Sequence, residues 1–246
     1  MRLLAAEALK LRTTWGFWVY LVLMLGITAL AVSATIGSGV GAFDDESWRD
    51  LLQTPALGFL FPLLIGSVTF TNEFRHGTIG QTLLLTPRRG VLLALKLVTA
   101  ALVGLLFAAL AFALTLAIAL PWLGAKDVEV GLGDPVVRET GLVVALGFVL
   151  LAMFGAAVGG ALRSQMGAAV GLLVWFLLVE FLVGALLTAL DIEGVARYLP
   201  VSAAGAIVGG EDDTELLSQG AGALVLLAWV GALAGVAAVS LRRDVT

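Results

Sequence analysis

LVTAALVGLLFAALAFALTLAIALPWLGA, residues 97–125, contains no charged residue. A helix rises 1.5 Å per residue, so about 20 apolar residues cross the roughly 30 Å hydrocarbon core of a bilayer. This stretch exceeds that length, and five more stretches meet it. Residues 13–43, 51–72, 140–162 and 216–241 are also uncharged, and residues 164–190 carry a single charge, Glu180. The whole chain is 60% apolar and only 13% charged, against about 25% charged in an ordinary soluble domain. So few charges cannot cover a water-facing surface, and the surplus apolar residues require lipid as solvent. The segments lack the alternating pattern of membrane barrels. The expected fold is therefore an all-α integral membrane protein with six transmembrane helices, near 15–36, 51–71, 92–122, 141–162, 167–190 and 216–241. They form a single transmembrane domain over 1–246. The third span is over-long and is expected to tilt or protrude.

The basic residues set the orientation, because Lys and Arg of short loops stay on the cytoplasmic side. With both termini cytoplasmic, Arg2, Lys10, Arg12, Arg75, Arg88, Arg89, Lys96, Arg163, Arg242 and Arg243 lie inside, and Arg49, Lys126, Arg138 and Arg197 lie outside. The acids gather on the outer side, in loops 37–50, 124–139 and 191–215. The expected location is the cell inner or plasma membrane, crossed several times, with no nucleic-acid partner. The first apolar run is longer than the core of a cleaved leader, about 7–15 residues, and reads as a retained span. Within the last outer loop, 194–210 is fairly apolar and holds Tyr198 and Pro200. It either folds back into the outer leaflet or lies in water.

Two segments outside the spans carry patterns of their own. In residues 1–14, Leu4, Ala8 and Leu11 share one helical face with Trp15, and Arg2 and Lys10 lie away from it. This is either an amphipathic interfacial helix on the lipid headgroups or a simple basic flank to the first span. The second segment is the cytoplasmic loop between the second and third spans: Asn72, Glu73, Phe74, Arg75, His76, Gly77, Thr78, Ile79, Gly80, Gln81, Thr82, Leu83, Leu84, Leu85, Thr86, Pro87, Arg88, Arg89, and on to Lys96. Thr78 suits a helix start and Pro87 a stop. Between them Ile79, Thr82 and Leu83 share a face. The result is a short surface helix over 78–86, with Arg88, Arg89 and Lys96 suited to headgroups or to an acidic partner. An ordinary basic loop obeying the orientation rule has the same composition.

The order of these residues resembles the signature of ABC-2 type exporter permeases. That family has a Glu after the second helix, then a Gly-Thr-aliphatic element, Leu residues, a Pro closely followed by Arg, and a Lys about seven residues later. Here these are Glu73, Gly77 to Ile79, Leu83 to Leu85, Pro87 to Arg89, and Lys96. Glu7, Lys10, Leu11 and Arg12 resemble the family's amphipathic N-terminal helix, and the six-span layout agrees. The resemblance implies a permease subunit that forms a substrate path and couples to a separate ABC ATPase subunit through a coupling helix in the 77–87 loop. Ile79 and Leu83 would then be docking contacts, with Glu73, Arg75, Gly77, Thr78, Pro87, Arg88 and Arg89 shaping the loop. Glu73 and Arg75 would tie it to neighbouring helices. A second permease subunit, identical or paralogous, would complete the path. The chain itself would hold no cofactor, ATP and Mg being bound by the partner.

What the chain lacks narrows the chemistry further. A P-loop needs Gly-x-x-x-x-Gly-Lys-Ser/Thr to cradle phosphates, and Lys10, Lys96 and Lys126 do not follow a glycine. His76 is the sole histidine and there is no cysteine, which leaves no metal cluster or thiol nucleophile, so the chain is not read as an enzyme. His76 reads as a solvated loop residue. Glu180 is the ionisable group deep in a span, where a charge is costly and faces a cavity or a partner. Either it lines a substrate or proton path, which would suit a stand-alone secondary transporter or channel, or it is protonated or paired in a helix contact. A membrane scaffold or immunity protein without transport is a third class. Gly155 with Gly159, Gly167 with Gly171, and Gly231 with Gly235 have the small-xxx-small spacing that permits close helix packing, read here as internal. The lack of cysteine makes the orientation directly testable. Asp127→Cys should react with a membrane-impermeant maleimide on intact cells, and Arg88→Cys only after permeabilisation; the reverse labelling overturns the assignment.

Overall fold

A computed structural model describes residues 13–37, 45–78, 80, 89–125, 133–209 and 217–242. Among these residues the ordered elements are helical, with no strand. Six runs are long and apolar enough to cross a membrane: Trp15–Gly37, Trp48–Arg75, Arg89–Gly124, Pro135–Leu162, Gln165–Ala189 and Gln219–Ser240. Each coincides with a span expected from the charge gaps. Residues 1–12, which hold most of the expected interfacial helix, lie outside the described residues.

The first span is α1, Trp15–Gly37. The second is composite. Helix α2, Asp45–Gln53, passes through a 3₁₀ turn, Thr54–Gly58, into α3, Leu60–Arg75. Residues 45–50 are thus helix and not the loop their acidity suggested. The reason is the buried face of Trp48, Leu51 and Leu52, opposite exposed Arg49 and Asp50. That face meets Val32 and Ile36 of α1 and the C-terminal end of α4, Arg89–Gly124, at Ala119 and Leu123. Helix α4 has 36 residues, about 54 Å of helix. Its surplus length is therefore packed under α2.

Helix α5, Pro135–Leu162, is the centre of the bundle. Asp134 caps its start by accepting from the Val136 amide at 2.9 Å. It packs against α3, α4 and the last helix, α9, Gln219–Arg242. In lipid no hydrophobic force draws apolar helices together, and close van der Waals packing between small residues takes its place. Gly155 and Gly159 press on the backbone of α3 at Leu63 and Ser67. Gly66 returns the contact on Ala152, and Gly104 of α4 meets the Phe148 carbonyl, 2.6 Å from where a Cβ would stand. The polar residues of α3 do not hinder this approach. Ser67, Thr69 and Thr71 donate to the carbonyls of Leu64, Gly66 and Ser67 in their own helix, so no hydroxyl is left to seek water. Among the described residues the other two glycine pairs make no such contact with another helix. A Cβ on Gly231 or Gly235 meets nothing within 4 Å, and one on Gly167 meets only Ser164 of its own turn.

The fifth span is a continuous helical rod. Helix α6, Gln165–Val174, leads through a π-helical turn, Trp175–Val179, into α7, Glu180–Ala189. It is the least buried of the six spans. Beyond it the chain turns at Asp191, forms a 3₁₀ segment, Glu193–Tyr198, and then α8, Pro200–Val208. Helix α8 packs on α9 and α5 with Ala203, Ala204, Ala206, Ile207 and Val208 buried. Trp229 Nε1 donates to the Tyr198 carbonyl at 2.9 Å. Because Trp229 is about 15 Å of helix from the start of α9, residues 193–198 descend alongside the span and α8 climbs back. Of the 194–210 segment, Pro200–Val208 packs into the bundle, and residue 210 lies outside the described residues.

Substitution at the α5–α3 contact provides the test. Gly155→Ala should destabilise the detergent-solubilised protein by about 1–3 kcal/mol, the usual cost of overpacking. Gly184→Ala, where a Cβ meets nothing within 4 Å, should leave the unfolding midpoint unchanged. Equal midpoints for the two would remove Gly155 from the packing account.

Candidate functional site

The described part of the loop between the second and third spans is its root, where α3 ends and α4 begins. Helix α3 stops by a paired backbone exchange. The Gly77 amide donates to the Phe74 carbonyl at 3.3 Å, and the Thr78 amide donates to the Glu73 carbonyl at 3.0 Å. This C-terminal motif needs a left-handed residue, and Gly77 supplies it with φ 65. Thr78 therefore closes the preceding helix with its amide. His76 and Gly77 are exposed, in keeping with a solvated histidine.

Glu73 and Lys96, 23 positions apart, meet inside the protein. Lys96 Nζ donates to Glu73 Oε1 at 2.7 Å, and their side chains are 1% and 4% exposed, Lys96 and Glu73 respectively. Lys96 stands two turns into α4 and turns inward on α3. This departs from the expectation that it reaches headgroups or an acidic partner surface. An ammonium among buried apolar side chains is held by an opposite charge at contact distance, because either charge alone would incur an uncompensated desolvation cost. The pair joins the two helices from which the 72–96 loop springs. Next to it, exposed Arg75 donates from Nη1 to Gln165 Oε1 at 3.2 Å, reaching the first residue of α6. Arg89 occupies the first turn of α4. Ile79, Leu83, Pro87 and Arg88, with the rest of the 78–86 helix apart from Thr78 and Gly80, lie outside the described residues.

Glu180 forms a second, separate site, in the half of the span nearer α8. It is buried, 6% exposed, and its carboxylate accepts four hydrogen bonds. Oε1 takes the Ser202 amide at 2.6 Å and the Ser202 hydroxyl at 3.0 Å; Oε2 takes the Val201 amide at 2.8 Å and Trp175 Nε1 at 3.0 Å. Two of these donors are first-turn amides of α8. Its own N-cap, Leu199, has no side-chain oxygen to offer, and its first residue, Pro200, has no N–H. The Ala203 amide returns to the Leu199 carbonyl at 2.8 Å. Glu180 thus completes the N-terminus of α8 from another helix, and its negative charge sits at the positive end of the α8 dipole. The π turn sets the register, placing the Trp175 indole and Glu180 side chains, five residues apart, on one side of the rod. Both carboxylate oxygens are committed to this capping, which argues against a stand-alone carrier working through Glu180.

The resemblance marked Glu73 and Lys96 as the ends of a motif but not as partners. That pairing was detectable in principle: an acid and a base, each at the edge of an apolar run, need one another. The donors to Glu180 had no sequence signal, because two of the four are backbone amides. Among the described residues there is no cluster of three or more metal-binding side chains.

A polytopic helical membrane protein whose 72–96 loop is rooted in a buried ion pair is the class that fold and site define. Comparison with known families narrows it: the family described as ABC-2 family transporter protein matches residues 3–133. That is over half the chain and includes the first three spans and the whole 72–96 loop, so the chain belongs to the ABC-2 transporter family. It is accordingly a multi-pass, permease-type membrane subunit without catalytic function of its own, and the family implies partnership with an ABC ATPase subunit. No curated protein matches the chain.

Removing one partner of the ion pair strands the other in the interior. Glu73→Ala should cost about 3–5 kcal/mol of stability, and the double change Glu73→Leu with Lys96→Met should recover most of it. Denaturant unfolding in detergent measures both, and a single variant as stable as the native chain would refute the pair's role at the loop root.

Proposed function

We propose that this chain is the permease subunit of an ABC-2 type exporter. It forms the substrate pathway and couples to a separate ATP-binding subunit through the 77–87 loop. ATP and Mg belong to that partner, both termini face the cytoplasm, and a second permease subunit in the same membrane completes the pathway. Family membership supports the class, and the single observation that carries the mechanism is the 2.7 Å Glu73–Lys96 pair. A coupling element transmits force only if its ends are stiff. The pair clamps the exit of α3 to the start of α4, so a push on the middle of the loop reaches both helices together and is not absorbed by a loose hinge. Gly77 supports the same reading, since its αL turn ends α3 sharply at the root of the loop. Ile79 and Leu83 are the apolar docking contacts, flanked by the basic Arg88 and Arg89.

The chain should co-purify with a separate P-loop ATPase. The double variant Ile79→Asp with Leu83→Asp should insert normally and lose that association at least about tenfold, because two carboxylates would be forced into an apolar groove. Undiminished association would overturn docking through this face.

A further inference from the structure

The cytoplasmic turn between α5 and α6 contains a residue that the coupling reading leaves unused. Arg163 ends α5 with φ 54 and ψ 12. That left-handed conformation is disfavoured for a residue with a Cβ, and glycine is its usual occupant at a helix end. Such a backbone persists where its surroundings over-determine it, and these positions cluster at switches and clamps. The surroundings here are specific. The Arg163 guanidinium lies 5.7 Å from the centre of the Phe74 ring, and its Nε and Nη2 are buried. Phe74 in turn stacks on Phe70 at 6.0 Å with 11° between the rings. Two residues beyond Arg163, Gln165 accepts from Arg75 at 3.2 Å. The α5–α6 turn therefore grips Phe74 and Arg75, the two residues that directly follow Glu73.

What this turn leads into matters equally. Only Arg163 and Ser164 separate α5 from α6, and Ser164 caps α6 by accepting from the Gly167 amide at 3.1 Å. A displacement of Phe74 thus meets the start of the fifth span with no slack between them. That span is the least buried in the chain, so it has the fewest internal contacts opposing its movement. It also carries Glu180, which holds the first turn of α8 near the opposite side of the membrane.

We propose that Arg163 is a positioning residue that passes movement of the 72–96 loop, through its contact with Phe74, into the fifth span. The inference rests on the coupling reading above but concerns a different loop. Arg163 keeps its unfavourable backbone because its side chain is the contact; a residue serving only to end α5 would be better as glycine.

The absence of cysteine allows spin labels at Trp15→Cys and Met166→Cys, which are 82% and 79% exposed at the cytoplasmic ends of the first and fifth spans. Electron–electron distance measurements on the full chain, purified with its ATPase in lipid nanodiscs, read the separation with and without ATP and Mg. The native background should show an ATP-dependent shift. Arg163→Gly should keep ATPase association and a thermal midpoint at or above native, yet lower the ratio of shifted to unshifted population about tenfold, the scale of changes along a coupling route. Arg163→Lys, which restores a cation over Phe74, should recover at least part of the shift. A full shift in Arg163→Gly overturns the proposal. So does a loss accompanied by an equal fall in thermal midpoint in both variants, which would make Arg163 a structural cap. ATPase association without any native shift overturns the transmission role and leaves docking intact, whereas no association at all overturns the coupling reading and this inference with it.

Discussion

In hydrocarbon every backbone N–H and C=O must find its partner inside the protein, since no water is present to satisfy it. The six spans obey this by being continuous helix, and the elements that depart from regular helix show how strictly the rule is kept. The 3₁₀ turn at Thr54–Gly58 and the π turn at Trp175–Val179 change the hydrogen-bond ring size without breaking the rod. The hydroxyls of α3 bond back to their own helix. Where α8 begins within the bundle, at Pro200, the chain commits a buried carboxylate.

The two buried charged sites solve opposite problems. At the root of the 72–96 loop, Glu73 and Lys96 neutralise each other and join two helices across 23 positions of sequence. Toward the opposite end of the bundle, Glu180 has no counter-charge in its bonding set and is held by four donors, two of them at a helix N-terminus where the dipole favours an anion. The first arrangement ties together the two roots of the 72–96 loop. The second ties a segment folded back among the spans. The fifth span touches both, with Gln165 bonded to Arg75 at one end and Glu180 holding α8 toward the other.

Between these ends the bundle is organised by contact distance rather than by charge. Helix α5 approaches α3 and α4 where Gly155, Gly159, Gly66 and Gly104 remove the side chain that would hold the backbones apart. Glycine spacing alone did not single these out, because Gly231 and Gly235 have the same spacing and meet nothing. A small residue permits a close approach only if another helix stands opposite, and periodicity within one helix does not contain that information. The acidic stretch at 45–50 was misread for a related reason: charge density marked it as loop, while Trp48, Leu51 and Leu52 supplied a buried face.

By itself the sequence determined the solvent, the number of crossings and the loop that carries the family signature, because each depends on local quantities: how long the chain runs without charge, and which residues follow each other between two runs. The tertiary structure alone decided which charges pair, which glycines touch, and that Glu180 serves a helix it does not belong to. Those facts depend on which helices become neighbours, and in a chain of near-uniform apolar spans that choice is made by shape complementarity between faces distant in sequence.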